Sequence, residues 1–301
     1  MATAEIVQPC LGIRHVLIAT DLSHKSDFIL GYGLDFARLC GAEAEIAYVL
    51  PTEQYAMADA DGIVVCRAAA RRDLLDLHAR LHHRYLDDDD TDHKLTLLEG
   101  PVAESLLQQA GHNHTDLIVV GTHGRGGLGK VFLGSVAEKV FRQSPVPVLT
   151  IGPNLHAHRP MRELRHILAP CDLTARSHPA VHFACELARG HCSRLTVLHV
   201  VEQPSEETKI DPERVKQGIR QNLAEIVGRD GTCVDLHYQV EFGKAPLTTL
   251  KVASDSHTDL IVMGVRSSSG MMDRFQWPVA YEVVREASCP VLTLRGPRPS
   301  R

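Results

Sequence analysis

Several features are scarce in this chain, and each scarcity closes a class of function. No apolar stretch approaches the roughly 18–20 residues that a bilayer-spanning helix needs, so no membrane association is expected. Lys and Arg number 32 against 37 Asp and Glu, a net charge of −5, and no basic stripe stands out; nucleic acid is not an expected partner. The eight cysteines are scattered without a CxxC pair, the usage of reduced thiols rather than of a disulfide framework. HExxH, GxSxG and GxxxxGK[ST] are all missing, which removes the zinc-protease, elbow-nucleophile and P-loop readings. The histidine pairs His82-His83, His112-x-His114 and His156-x-His158 lack further spaced ligands, so neither a metal site nor a catalytic residue is assigned. The N-terminal MATAEIVQPC has no apolar run behind a basic start. Together with the cysteine usage, that leads us to expect a soluble, cytoplasmic protein.

What is present is a duplication. The 301 residues, 44% hydrophobic, fit about two domains of roughly 150 residues each. HTDLIV at His114–Val119 recurs at His257–Val262, a shift of 143, and the same shift carries Gly121 to Gly264 and Pro147 to Pro290. RHVLIATD at 14–21 answers RHILAPCD at 165–172, a shift of 151. The second copy is therefore eight residues shorter between these two anchors. We place the domains at 12–152 and 163–296, joined by the Pro-, His- and Arg-rich stretch 152–163.

Each copy alternates short β-branched apolar runs with helical patterns. The expected strands are 13–20, 44–50, 94–99, 116–121 and 146–151, then 165–170, 194–201, 233–241, 259–264 and 290–294. Expected helices include 28–40, 66–85, 102–110 and 136–142, with counterparts 179–189, 212–229, 247–254 and 279–287. Such alternation with short loops predicts an α/β fold, a parallel sheet with helices on both faces and right-handed crossovers.

The stretch after the fourth strand carries the chemistry. It runs Gly121-Thr-His-Gly124, nine residues, then Gly134-Ser135 at the start of a helix. Glycines let backbone approach an anion closely, and a helix start presents unpaired N–H groups and a positive dipole end. Ser135 adds a hydroxyl at the expected N-cap, and His123, Arg125 and Lys130 are cationic candidates for outer phosphates. The literal GxGxxG at Gly124-x-Gly126-x-x-Gly129 follows the fourth strand rather than the first. No acid sits about 20 residues on, so a dinucleotide fingerprint is excluded.

Gly121-x-x-Gly124-x9-Gly134-Ser135 resembles the nucleotide-binding signature of the universal stress protein family, and both halves are similar to its five-strand layout. The resemblance implies two tandem Rossmann-like domains, each an open five-stranded parallel sheet in the order 3-2-1-4-5. It implies that Asp21 contacts the nucleoside, that the Val49 backbone meets the adenine edge, and that Gly121, Gly124, Gly134, Ser135 and Val136 hold ribose and phosphates. Structural alternatives stand beside these roles: Asp21 as a cap for the next helix, Val49 as core, Gly121 as a turn shared with Gly264.

In the second copy Gly124, Gly134 and Ser135 are replaced by Ser267, Trp277 and Pro278, so bulk enters and a backbone N–H disappears. A plugged or empty second pocket is expected, with a nucleoside lacking phosphates conceivable because Asp172 and Val200 remain. The expected function is an ATP-binding regulatory or stress-response protein, with Mg²⁺ brought by the nucleotide. The second domain would serve as a degenerate pseudo-dimer mate; a homodimer and an unidentified protein partner are expected. The alternatives are a slow ATPase of the same fold and a scaffold that binds no nucleotide.

Overall fold

Continuous Val, Ile and Leu runs without polar alternation suit strands buried on both faces, and the structure places them there. The computed structural model describes residues 12–54, 58–85, 93–122, 133–155, 161, 163–202, 211–228, 235–265 and 278–295. Structural statements below concern those residues. The chain divides into two compact units that change over between Ile151 and Glu163.

The first unit runs β1 (His15–Thr20), α1 (Asp27–Cys40), β2 (Glu43–Leu50), α2 (Ala60–Tyr85), β3 (His93–Glu99), α3 (Val102–His112), β4 (Leu117–Gly121), α4 (Ser135–Gln143) and β5 (Val148–Ile151). Its strands pair in the order β3-β2-β1-β4-β5, all parallel. The second unit repeats the plan with β6 (His166–Pro170), α5 (His178–His191), β7 (Arg194–Val201), α6 (Pro212–Val227), β8 (Asp235–Phe242), α7 (Ala245–Asp255), β9 (Leu260–Val265), α8 (Pro278–Glu286) and β10 (Val291–Arg295). Its order is β8-β7-β6-β9-β10, again parallel. Both match the expected 3-2-1-4-5. Helices α1 and α2 pack side by side, as do α3 and α4.

The core sits on the central strands. Leu17, Ile18, Leu117, Ile118 and Val119 are fully buried, as are Ile167, Leu168, Leu260, Ile261 and Val262. Each such side chain gains about 1.5–3 kcal/mol relative to exposure. The largest departure from the expected boundaries is α2, which starts six residues earlier than the pattern suggested. Asp59 accepts from the Gly62 amide at 2.9 Å and so caps the first turn of a helix whose next residues, Val64 and Val65, are exposed. An apolar pair facing water breaks the periodicity from which a helix is read.

The repeated HTD has a structural cause. His114 and His257 adopt left-handed backbone, φ 49° and 50°, turning the chain into β4 and β9. The carboxylate that follows clamps the neighbouring strand. Asp116 Oδ2 accepts from the Arg14 and His15 amides at 2.8 and 3.1 Å, and Asp259 Oδ2 accepts from Arg165 and His166 amides, both at 2.9 Å. Hydrogen bonds to a charged acceptor contribute about 1.5–3 kcal/mol each and are not additive within a pair. Asp116→Ala is therefore expected to cost about 2–3 kcal/mol of first-unit stability and Asp259→Ala a similar amount in the second. Urea unfolding of the two variants checks this. A loss under about 0.5 kcal/mol, the level of an ordinary surface change, would contradict the clamp.

Candidate functional site

In an open α/β sheet the ligand crevice lies outside the carboxyl ends of the strands, where the strand order reverses. In the first unit that point falls between β1 and β4. The register pairs Thr20 with Tyr48 and Ile18 with Val119, so the chain leaves β1 at Asp21, passes Val49 on β2 and leaves β4 at Gly121 along one edge. Three of the sequence-derived candidates thus share that edge. Val49 is buried, which leaves its backbone rather than its side chain for a ligand.

Asp21 is not the cap of α1; that position belongs to Ser26. Its Oδ1 instead accepts from the Ser23 amide at 3.0 Å and the Ser23 hydroxyl at 2.7 Å, holding a turn in which Leu22 has φ 64°. Asp172 does the same for Thr174, at 2.9 and 2.7 Å, beside Leu173 at φ 61°. A non-glycine residue in left-handed backbone is strained and persists when neighbours over-determine it. The aspartate supplies that constraint in both units while standing at the crevice.

Beyond Gly121 the loop is closed at its base. The Thr122 amide donates to Ile151 O at 3.1 Å, and the Gly134 amide donates to Thr122 O at 2.7 Å. Because Gly134 is tied to the residue after Gly121, the start of α4 is held against the end of β4. Gly134, not Ser135, is the N-cap, with φ −58° and ψ 147°; Ser135 is the first helical residue and is exposed. That corrects the expected cap position by one residue. It also changes the reason for the glycine. At φ −58° any residue can follow this path, so what the position lacks is side-chain bulk rather than conformational range. The first-turn amides of α4, at Ser135 and Val136, have no partner within the helix. Ala137, Val140 and Phe141 are buried and seat the helix on the sheet. This donor set fits an anionic group: close backbone, a positive helix end and, at Gly134 itself, no side chain. His123, Gly124, Arg125 and Lys130 lie outside the described residues.

The second unit keeps the counterpart of this edge, with Asp172 and Val200 at the positions the sequence had matched to Asp21 and Val49. At the same edge Asp172, Val200 and Gly264 line a cavity of about 440 Å³. Its lining is mainly apolar, including Leu198, Met263 and Val265. Gly264 allows a close approach: a Cβ there would lie 2.9 Å from Arg176 O and 3.1 Å from Ser177 Cα. The buried Cys171 thiol faces the same space, its pKa raised by burial, with its sulfur 3.3 Å from the Ser177 hydroxyl. Sequence reasoning missed His199 and Arg176 as lining residues. The 151-residue shift was the available signal, since it sets them against Tyr48 and Lys25. Trp277 lies outside the described residues, and α8 begins at Pro278, which has no amide to donate.

Comparison with known proteins bears on the fold. The model of the universal stress protein family matches residues 12–152 and 163–295. Among curated proteins, "Universal stress protein in QAH/OAS sulfhydrylase 3'region" of Thermus aquaticus is 49% identical over 55 residues, covering 18% of this chain and 40% of that protein. The stress response protein NhaX of Bacillus subtilis is 36% identical over 66 residues, again 40% of its length. The chain thus spans less than half the length of these curated relatives. Among solved structures, a universal stress protein from Archaeoglobus fulgidus DSM 4304 superposes with a TM-score of 0.72 at 20% identity, covering 96% of this chain and 98% of that one. At that identity the likeness establishes the fold.

Proposed function

The chain belongs to the universal stress protein family, and from that premise we propose that its first unit binds ATP and that the chain works as an adenine-nucleotide-responsive binding protein. The observation that carries this reading is the bulk-free Gly134–Ser135 helix start, tied to Thr122 at the reversal of strand order. Ser135 and Val136 amides meet phosphate oxygens, Asp21 accepts from ribose hydroxyls, and the Val49 backbone pairs with the adenine edge. Gly121 and Gly124 let the backbone approach, and His123, Arg125 and Lys130 answer the outer phosphates. Mg²⁺ arrives with the nucleotide, because it binds chiefly through phosphates and water. Occupancy shifts the loop between Thr122 and Gly134, and a protein partner reads that state. A homodimer of the chain, acting in the cytoplasm, completes the proposal.

The second reading is a slow ATPase. Hydrolysis needs a group that orients water and others that neutralise developing charge. His123, Arg125 and Lys130 supply cations, but 122–134 contains no carboxylate to serve as a base. The expected result with labelled Mg-ATP is therefore retention of intact nucleotide without sustained release of phosphate. Multiple turnover that disappears in His123→Ala would replace the binding module with the enzyme.

A further inference from the structure

We infer that the outward face of α2 is a self-association surface, on which the α2 of a second chain lies antiparallel to the first. The inference gives a surface to the homodimer of the proposed function and rests on that reading; it does not depend on either unit binding a nucleotide.

Two stripes of similar spacing run along α2. Ala70, Leu74, Leu77 and Leu81 are buried and seat the helix on its unit. On the opposite side Val65, Ala68, Arg72, Leu75 and Ala79 are exposed, at steps of three, four, three and four residues. That is the spacing of a seam between two helices, whereas the outer face of an unpartnered helix is normally charged and polar. Three of the four large apolar side chains that stand exposed among the described residues are on this helix: Val64, Val65 and Leu75, at 62, 66 and 63%. The duplication shows that the fold does not require them. Leu77 and Leu81 answer the buried Leu223 and Val227 of α6 at a shift of 146. At the same shift Val65, Ala68 and Leu75 answer Asp211, Arg214 and Gln221, all exposed. Ile210, the counterpart of Val64, lies outside the described residues.

The charges on this face say what covers it. Asp61 stands at one end of the patch formed by Val64, Val65 and Ala68, and Arg72 stands at the other; both are exposed. An antiparallel helix, placed about a two-fold axis between residues 66 and 67, sets Asp61 of each chain opposite Arg72 of the other and Val65 opposite Ala68. A parallel helix would set Asp61 against Asp61 and Arg72 against Arg72. The face is therefore complementary to itself in one orientation, as an isologous interface requires. Ala68 and Ala69 let the two helix axes approach while Val64 and Val65 fill the space between them. Exposed ion pairs fix orientation and register more than affinity, and an interface of one helix pair falls at the small, transient end of protein contacts.

The test is sedimentation velocity of the full chain across micromolar concentrations, where a monomer–dimer equilibrium is expected. Val65→Asp, which writes in the residue of the second copy, and Arg72→Asp, which sets like charges face to face, should each weaken the dimer by about tenfold, because each change acts twice across the axis. Asp61→Arg combined with Arg72→Asp exchanges the charges and should restore the dimer. Val65→Gln repeats the apolar arm should Val65→Asp lose its helical circular dichroism. A dimer unchanged in folded forms of the Val65 and Arg72 variants would overturn this surface and leave the homodimer standing. Failure of the exchanged pair to restore what Arg72→Asp removes would overturn the antiparallel docking. A chain that stays monomeric at every concentration would overturn the homodimer and this surface together.

Discussion

A chain carrying Gly134→Trp and Ser135→Pro is expected to lose Mg-ATP affinity by about a hundredfold or more and to keep its fold. The change writes the second copy's residues into the first. Proline at 135 deletes the amide at the mouth of the helix, and the indole at 134 fills the space a phosphate would take. Donors to a charged oxygen contribute about 1.5–3 kcal/mol each, so the lost amide together with the steric block amounts to about 3 kcal/mol, a hundredfold in affinity. The backbone tolerates both residues. Position 135 is the first helical residue, where proline is well accommodated, and Gly134 already has the extended ψ of 147° that a following proline demands. The Gly134 amide that donates to Thr122 survives in tryptophan. Titration beside a thermal melt reads both halves of the expectation. Retained affinity in a folded variant would mean that this helix start does not hold the nucleotide.

The second large effect falls on Gly264. Its Cβ position is 2.9 Å from Arg176 O and 3.1 Å from Ser177 Cα, and both are backbone atoms leading into α5. No rotamer relieves that contact, so the turn before α5 must move. Gly264→Val is expected to cost about 2–3 kcal/mol, near the upper end of overpacking penalties, and to lower the melting temperature of the second unit by several degrees. Gly218→Ala is the control. Gly218 is exposed within α6, a Cβ there meets nothing within 4 Å, and alanine should stabilise by about 0.5–1 kcal/mol. Equal behaviour of the two variants would show that the close approach at Gly264 carries no energy.

Fold and topology were legible because parallel strands buried on both faces leave uninterrupted apolar runs, and because the duplication let each copy check the other. The ten strands lie within two residues of where those runs predicted them. Local geometry was less legible. Left-handed backbone at Leu22, His114, Leu173 and His257 has no compositional signal, since none of these is glycine. It follows from aspartates whose carboxylates hold the turns and clamp the strand starts. The cap at Gly134 rather than Ser135 was hidden because either residue type serves as a cap. The second cavity was legible in part: the repeat set Asp172 and Val200 against Asp21 and Val49, whereas His199 and Arg176, which also line it, fall opposite Tyr48 and Lys25, residues of other types that carried no such signal.

The most direct test of the account is calorimetric titration of the nucleotide-stripped full chain with Mg-ATP. The account predicts one ATP per chain, lost on Gly134→Trp with Ser135→Pro. Two equivalent sites, or none, would contradict it.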